Sequence, residues 1–220
     1  MNIFDIIGPI MVGPSSSHTA GAVRIGLVTR HLLAQEPVSA TITLHGSFSA
    51  TGTGHGTQKA IIAGLLGMLQ DDIRIPQSDV IADQLGFKYK FEYKTIKDAH
   101  PNTALINVVG KNGRDIEVQA SSIGGGRILI NKIDGIFVNF SGEQNTLIVH
   151  NIDQPGHVAE VTSTLSHKSV NIATMQLFRD ARGGYAVMVI EIDQDIPIES
   201  IEWLSHLEGV IKVTYLSAVK

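Results

Sequence analysis

Two short segments combine histidine with glycine and small hydroxyl residues, and these residue types could do chemistry. The first is GPSSSHT at residues 13–19, and the second is TGTGHGT at residues 51–57. Serines and a threonine just ahead of an apolar run are typical of a helix start, where free backbone N–H groups and the helix dipole favour a carboxylate or phosphate. The imidazoles of His18 and His55 could accept or donate a proton near neutral pH. The pattern therefore indicates anion binding and proton transfer.

Each segment also has a plainer interpretation. GPSSSHT could be an ordinary helix cap with a solvent-exposed histidine, and TGTGHGT could be a flexible loop with an incidental histidine. The second segment lacks the Gly-Lys-Ser/Thr ending of the P-loop and the G-x-G-x-x-G spacing of dinucleotide-binding folds. Our hypothesis is that both segments open onto one pocket, where His18 and His55 share a small anionic substrate.

Three further segments are weaker candidates. In HPNT (100–103), the proline keeps His100 extended and out of a helix. The glycine triplet at 124–126 permits close approach of another group. In DQPG (153–156), we expect Asp153 to cap the following helix while the proline and glycine shape the turn. His45 lies in a predicted strand, which favours a structural role for it.

The elements that position these segments follow from hydrophobic periodicity and turn signals. The first part of the chain predicts a helix, a strand, a Gly/Thr loop, a largely buried helix, an alternating strand, a hairpin with its turn at 111–113 and two short strands. Their ranges are 20–34, 38–48, 49–57, 58–70, 88–96, 104–123 and 127–144. The loop is the element that contains His55.

From about residue 146 the pattern changes to strand, helix, strand, strand, helix, strand. This βαββαβ order is typical of a ferredoxin-like sandwich, with two helices on one face of a four-stranded antiparallel sheet. The polar segment SGEQN at 141–145 marks the boundary. We therefore predict domains over 1–143 and 146–220, and a fold class of α/β (α+β). The second domain shows no nucleophile–base pair and no metal cluster, which favours regulation or assembly.

The composition of the 220-residue chain excludes several classes of function. It contains no cysteine, which excludes disulfides, thiol nucleophiles and thiolate-bound clusters held by this chain alone. A net charge of −4 gives no electrostatic reason to expect nucleic acid or an anionic membrane. The apolar run AIIAGLLGML has about half of the roughly 20 residues that a membrane-spanning helix needs. The first residues, MNIFDII, lack signal-peptide features, so we expect a cytoplasmic protein.

Taken in order, GPSSSHT, TGTGHGT with its following lysine (51–59) and HPNT resemble the motifs of the beta chain of bacterial iron–sulfur L-serine dehydratases. The resemblance covers essentially the whole chain. The first domain is also similar to the allosteric substrate-binding domain of some phosphoglycerate dehydrogenases. The second half resembles an ACT domain, with DQPG as the ligand loop and VNI (170–172) as the strand after the first helix.

The resemblance implies elimination of water from L-serine, whose aminoacrylate product becomes pyruvate and ammonia, in amino-acid degradation and gluconeogenesis. It also implies a [4Fe–4S] cluster in which one iron lacks a cysteine ligand and acts as a Lewis acid on the substrate hydroxyl. Such clusters are held by cysteine thiolates, and this chain has none. The alpha subunit would therefore carry the cluster, and this beta subunit would dock beside it as a heterodimer.

The resemblance further implies a role for each matched residue. Ser16, Ser17 and Thr19, with nearby backbone N–H groups, would hold the substrate carboxylate. The remaining residues would line the same pocket as catalytic or substrate-binding groups: His18, His55, Thr57, His100 and Asn102. Which group removes the Cα proton stays open, and it could come from the alpha chain.

In the ACT half, the resemblance implies an amino-acid ligand at Asp153, Gly156 and Asn171, and self-association of the domain. His157 departs from the small aliphatic residue that is common after the glycine of this loop.

Two other classes of function remain open. The chain could be an amino-acid-sensing module that binds serine without converting it, or a purely structural assembly chain. The lyase is favoured because the histidines are concentrated in the glycine-rich segments, which a passive sensor or scaffold would not require.

Overall fold

The computed structural model describes residues 10–218, and at Thr53 it describes the backbone alone. The chain forms two compact units, one up to Asp134 and one from Gly135 onward. None of the helices within residues 10–218 combines the length and the apolar character that crossing a bilayer would need.

The first unit is a mixed sheet with helices packed on it. The elements are a π-helical turn (Ser16–Gly21), α1 (Ala22–Leu33), β1 (Pro37–Leu44), α2 (Ser47–His55), α3 (Thr57–Leu65), a 3-10 turn (Ile75–Gln77), α4 (Ser78–Gln84), β2 (Lys88–Tyr93), β3 (Thr103–Gly110), β4 (Asp115–Gly124) and β5 (Arg127–Ile133). The strands of this unit lie side by side in the order β2-β1-β3-β4-β5, in which β1 and β2 are parallel and the other neighbours are antiparallel.

Helices α1 and α3 cross backbone against backbone at two glycines. A Cβ atom on Gly26 would lie 2.3 Å from the carbonyl oxygen of Ile61, and one on Gly64 would lie 2.0 Å from that of Val23. Only glycine permits so close a crossing. Because α1 continues the turn that contains His18 and α3 begins at Thr57, this crossing sets the distance between the two histidine segments.

The predicted loop over 49–57 is wrong, because residues 47–55 form helix α2. Glycine is a poor helix former, costing up to about 1 kcal/mol per residue relative to alanine. Tertiary packing overrides that preference here: the Phe48 side chain is fully buried, and the Thr51 hydroxyl donates to the Ser47 carbonyl oxygen at 3.0 Å. The helix ends at Gly56, whose φ of 73° is in the left-handed region.

The other elements predicted for this unit are confirmed, with shorter bounds. Helix α1, strand β1, helix α3, strand β2 and the β3–β4 hairpin all fall within the predicted ranges or next to them. The hairpin turn contains Gly113 with a φ of 78°, as its sequence predicts. Helix α4 was not predicted, since its seven residues are too few to show a clear period.

The second unit begins with β6 (Ile136–Phe140) and then has the predicted βαββαβ order. The elements are β7 (Asn145–Ile152), α5 (His157–His167), β8 (Ile172–Arg179), β9 (Tyr185–Ile192), α6 (Ile198–Ser205) and β10 (Val210–Leu216). Their four-stranded sheet is antiparallel in the order β10-β7-β9-β8. This order confirms the ferredoxin-like arrangement predicted for the ACT domain.

The core of the second unit lies between its helices and its sheet. Buried side chains of β7 and β9, such as Leu147 and Ile190, pack with Val161 and Leu165 of α5 and Leu204 of α6. Strand β6 belongs to this unit, where the Asn139 carbonyl oxygen accepts a hydrogen bond from Gln176 Nε2 at 3.0 Å. The compact units thus divide after Asp134, and 141–145 stays a prediction for the domain boundary.

Candidate functional site

The GPSSSHT segment forms the predicted helix start, and Ser15 is its cap. The Ser15 hydroxyl accepts the backbone N–H of His18 at 3.2 Å, and the Ser15 carbonyl oxygen accepts the N–H of Thr19 at 2.8 Å. The turn that follows is π-helical over Ser16–Gly21 and continues directly into α1. π-turns are rare in proteins, and many of those that occur lie at functional sites.

His18 points into the protein instead of into solvent, so the interpretation as a cap with an exposed histidine is wrong. The residue is 8% exposed. Its Nδ1 is hydrogen-bonded to the Thr57 hydroxyl at 2.9 Å, and its Nε2 to the Ser47 hydroxyl at 3.2 Å. Burial, and then the neighbouring His55, lower the pKa of His18 below its ordinary value of 6.5. The imidazole is therefore neutral at pH 7.

His55 lies beside His18, as the one-pocket hypothesis requires. The two ring centroids are 5.0 Å apart, with the planes tilted by 42°. His55 is exposed, and its Nδ1 is 3.1 Å from the carbonyl oxygen of Thr51. A carbonyl oxygen can only accept, so the neutral His55 ring carries its proton on Nδ1. Its Nε2 then has a free lone pair.

Thr57 has a partner inside the protein. It is the first residue of α3, it is fully buried, and its hydroxyl is the one bonded to His18 Nδ1. Lys59, the lysine of the same motif, points elsewhere. Its ammonium group donates to the Pro76 carbonyl oxygen at 2.7 Å and pairs with Asp79 at 3.1 Å. The lysine therefore ties α3 to the 3-10 turn and α4.

Three residues of α2 complete the cluster: Thr51, which begins the TGTGHGT segment, and Ser47 and Phe48, which no predicted motif includes. The Phe48 ring meets the His18 ring edge-on, with centroids 5.1 Å apart. The Ser47 hydroxyl contacts His18, and the Thr51 hydroxyl lies 3.4 Å from that of Ser47. A signal exists in the sequence, because HGSF (45–48) lies two residues before the TGTGHGT segment. The strand predicted over 38–48 includes those residues.

The HPNT loop lies beside the start of α2 through its backbone. The Ser47 N–H donates to the Pro101 carbonyl oxygen at 2.8 Å, and a Cβ atom on Gly46 would collide with Pro101. The His100 side chain is exposed, and its Nδ1 accepts the Asn102 N–H at 3.1 Å, a contact within the loop. The structure thus brings the loop to the cluster, and pocket roles for His100 and Asn102 stay predictions.

The hydroxyl residues predicted to hold a carboxylate differ in their surroundings. Ser16 and Ser17 are half-buried in the π-helical turn. Thr19 is 3% exposed, and its side chain packs against Gly13. Its hydroxyl has no hydrogen-bond partner within residues 10–218. Of the three, Ser16 and Ser17 are therefore the better placed to meet a ligand.

Asp153 does not cap α5, so that prediction is wrong. Its carboxylate accepts from Arg179 Nη1 at 2.8 Å and from the Gly183 N–H at 3.0 Å. Helix α5 begins instead after Gly156, which has a φ of 108° and no side-chain cap. A charge-assisted bond to a guanidinium is about twice as strong as a neutral one, which explains the choice of partner. The Gly183 N–H and then Arg179 lower the pKa of Asp153 below its ordinary value.

Asn171, the other predicted ACT ligand residue, lies far from Asp153. Its Nδ2 donates to Asp193 at 2.6 Å, whereas the Asp153 N–H donates to Gly184. These partners flank the two ends of β9, which places the two residues roughly 30 Å apart at about 3.3 Å per residue. Asn171 lines a surface cavity of about 390 Å³ together with Thr162, Ser166, Ser169, Val170 and Ile172.

Cysteine thiolates, the usual donors of an iron–sulfur cluster, do not occur in this sequence. No group of three His, Asp or Glu side chains is placed to hold a metal ion in the part of the chain that the structure describes. The full sequence has no cysteine, and iron–sulfur clusters are held chiefly by cysteine thiolates. The residues present therefore do not fit a [4Fe–4S] cluster.

The fold and the site define a class of protein: a mixed α/β domain with a histidine–hydroxyl cluster at a helix start, followed by a domain of ferredoxin-like topology. The family model described as "Serine dehydratase beta chain" matches residues 2–132. The chain is 41% identical over 216 residues to the probable L-serine dehydratase beta chain of Bacillus subtilis, covering 98% of both chains. It is 38% identical to the L-serine dehydratase beta chain of Peptoniphilus asaccharolyticus, covering 96% of this chain and 94% of that one.

A third relative is longer. The L-serine dehydratase of Haemophilus influenzae is 27% identical over 96% of this chain, and the match covers 47% of the relative. On the family match and the two full-length relatives, the chain belongs to the serine dehydratase beta chain family.

Proposed function

We propose that this chain is the beta subunit of an L-serine dehydratase, which converts L-serine to pyruvate and ammonia in the cytoplasm together with an alpha subunit. The observation that carries the proposal is the convergence of His18 and His55, whose ring centroids lie 5.0 Å apart next to three hydroxyl groups. The two relatives that match along nearly their full length are named as beta chains of this enzyme.

His55 is the group that we assign to removal of the Cα proton. A general base needs an unprotonated nitrogen that substrate can reach. His55 is exposed, and its Nδ1–H is fixed on the Thr51 carbonyl oxygen, which leaves Nε2 free. Both nitrogens of His18, in contrast, are bonded to protein hydroxyls. His18 therefore lines the pocket as a neutral side chain of fixed orientation.

The π-helical turn is the group that we assign to the substrate carboxylate. Ser16 and Ser17 are half-buried there, and their backbone N–H groups belong to the first turn of a helix, where the dipole is positive. This turn contains His18, so a carboxylate bound to it lies on the same side of the unit as both imidazoles. Asn102 and His100, in the loop that touches α2, would complete the pocket.

The alpha subunit would supply what this chain lacks. A [4Fe–4S] cluster would contribute Lewis-acid chemistry at the substrate hydroxyl, and its thiolate ligands would come from the alpha chain, since this chain has no cysteine. The match to about half of the longer Haemophilus influenzae relative supports a second functional part of similar size. This chain contributes the proton acceptor and the carboxylate contacts.

The ACT unit would bind an amino acid only after self-association. Asp153 and Asn171 flank opposite ends of β9, so a single copy cannot place both on one small ligand. Two copies related by a twofold axis could bring Asp153 and Gly156 of one to Asn171 of the other. Sedimentation with and without added amino acids measures this: we expect dimerisation to strengthen, and a copy that stays monomeric while binding ligand would contradict it.

The test is anaerobic co-expression with the alpha chain, followed by a pyruvate assay on L-serine. We expect His55→Gln to lower kcat by about 10²–10⁴-fold, the usual contribution of general acid–base catalysis. His167→Gln is the matched control, because that histidine is exposed on α5 of the second unit. A complex that makes no pyruvate while the chain alone binds serine would support the sensing module instead. A fully active His55→Gln variant would refute His55 as the base.

A further inference from the structure

The Ser47 hydroxyl lies at the centre of a chain of hydrogen bonds that connects both histidines. It is 3.2 Å from His18 Nε2 and 3.4 Å from the Thr51 hydroxyl. The Thr51 hydroxyl is 3.0 Å from the Ser47 carbonyl oxygen. The Thr51 carbonyl oxygen accepts from His55 Nδ1. All these contacts use residues of α2, so one helix carries His55 and contacts the His18 ring.

When each of these contacts is a hydrogen bond, the number of protons available assigns a direction to every one of them. A hydroxyl has one proton, and a carbonyl oxygen has none. The Thr51 hydroxyl proton must go to the Ser47 carbonyl oxygen, so the contact between the two hydroxyls needs the proton of Ser47. The Ser47 oxygen is then an acceptor toward His18, which puts a proton on His18 Nε2. In the neutral ring Nδ1 is bare and accepts the proton of Thr57.

We propose that Ser47 is a positioning residue that holds His18 in the tautomer with its proton on Nε2. The tautomer of His18 is a property of this polypeptide without any partner. Its importance for turnover rests on the proposed function. Ser47 acts through His18 and is not assigned any contact with substrate. It is half-buried, at the position where α2 begins beside the HPNT loop.

The consequence is that the two adjacent histidines have opposite tautomers. His18 carries its proton on Nε2, and His55 carries its proton on Nδ1. The nitrogen of His18 that faces α2 is then a donor and cannot accept a proton, whereas Nε2 of His55 can. The same helix therefore holds His18 as a neutral donor at Nε2 and leaves Nε2 of His55 able to accept a proton.

The direct test reads the tautomers by ¹⁵N NMR on the full chain with ¹⁵N-labelled histidine, with His18 assigned from the His18→Gln variant. We expect wild-type His18 to show a protonated Nε2 and a bare Nδ1. Ser47→Ala removes the acceptor, so the population should move toward Nδ1–H, for which the Thr57 hydroxyl is an acceptor. Ser47→Thr restores a hydroxyl and should restore the wild-type spectrum.

Ser49→Ala is the matched control, since Ser49 is in the same helix two residues away and has no assigned role. It should leave the His18 signals unchanged. A protonated Nδ1 in the wild-type chain would overturn the proposal, and so would a Ser47→Ala spectrum identical to wild type. Circular dichroism shows whether each variant is folded. If Ser47→Ala does not fold, Ser47→Thr still tests whether a hydroxyl at this position sets the tautomer.

The second test is the activity of the complex with the alpha chain. Loss of a hydrogen bond between neutral groups is worth about 3- to 10-fold in kcat. We expect that loss for Ser47→Ala with little change in KM, and recovery in Ser47→Thr. An equal loss in Ser47→Thr would overturn a role for the hydroxyl. If no complex makes pyruvate but the NMR result is as expected, the proposed function fails and the assignment of Ser47 stands.

Discussion

Replacing Gly64 with alanine should push apart the two helices that position the histidine cluster. The new Cβ would lie 2.0 Å from the Val23 carbonyl oxygen and 2.6 Å from the Leu27 nitrogen. The first distance falls about 1.4 Å short of the 3.4 Å at which ordinary contact begins. Both atoms are backbone, so neither can rotate away, and α1 must move relative to α3.

The size of the effect follows from two opposing terms. Overpacking of a close-packed core costs typically about 1–3 kcal/mol, and a backbone clash belongs at the top of that range. Alanine is favoured over glycine within a helix by about 1 kcal/mol. We therefore expect Gly64→Ala to lower the free energy of unfolding by about 2 kcal/mol, a factor of roughly 30 in the folding equilibrium.

The displacement should also reach the site. Helix α1 continues the turn of His18, and α3 begins at Thr57, whose hydroxyl is 2.9 Å from His18 Nδ1. A shift of about 1 Å in a positioned group can cost as much as 100-fold in rate. We therefore expect a marked fall in kcat in the complex with the alpha chain, even at temperatures where the variant is folded.

Urea denaturation followed by circular dichroism measures the first effect, and the pyruvate assay measures the second. Gly54→Ala is the control for stability, because a Cβ there meets nothing within 4 Å and its φ is not in the left-handed region. It should stabilise α2 by up to about 1 kcal/mol. A Gly64→Ala variant that is as stable and as active as wild type would show that the helix crossing does not position the cluster.

Three further predictions concern titrating groups. Because the pKa of His18 is lowered in the folded chain, the unfolded chain binds a proton more readily, and the free energy of unfolding should fall as the pH drops below about 6.5. In urea titrations at several pH values, His18→Gln should make this dependence on pH weaker. A dependence equal to that of wild type would contradict the prediction. Because the pKa of Asp153 is lowered in the folded chain, its carboxylate stabilises the fold above the ordinary pKa of 3.8. This stabilisation is lost as the pH falls through the lower pKa of the folded chain. In Asp153→Asn the fall in stability at acid pH should therefore be shallower than in wild type. Burial and a 2.7 Å hydrogen bond to Asp195 raise the pKa of Tyr215 to about 12; Asp195→Asn should lower it, which ultraviolet titration would show, and equal titration curves would exclude the role of Asp195.

The sequence predicted the elements whose periodicity is strong. The second unit followed from strand and helix patterns of ordinary length, and the pairing order β10-β7-β9-β8 is the one that a βαββαβ chain adopts. Helix α2 could not be predicted in this way, because its glycines contradict its conformation. The burial of Phe48 overrides them, and burial is a property of the folded chain.

The sequence predicts part of the site, namely the residues that are conspicuous in a local pattern. His18 and His55 were singled out because histidine between small residues is conspicuous, and the structure brings their rings together. Ser47 escaped notice, since a serine at the end of a strand looks like a turn residue. The partner of Asp153 also escaped notice, because Arg179 is 26 residues away in the sequence and only the strand pairing brings it near. Local pattern identifies unusual residues, whereas their partners depend on topology.

The π-helical turn also limits how the chain can change. A π-turn closes on the fifth residue instead of the fourth, so it holds one more residue than an α-turn would. Removing a single residue between Ser16 and Gly21 would let the helix become regular, because five residues at about 100° each span nearly the angle that these six span in the wider turn. The chain upstream would keep its direction, and the turn would present one side chain and one backbone N–H group fewer. A one-residue deletion in this segment should therefore leave the unit folded and remove a group from the proposed carboxylate site.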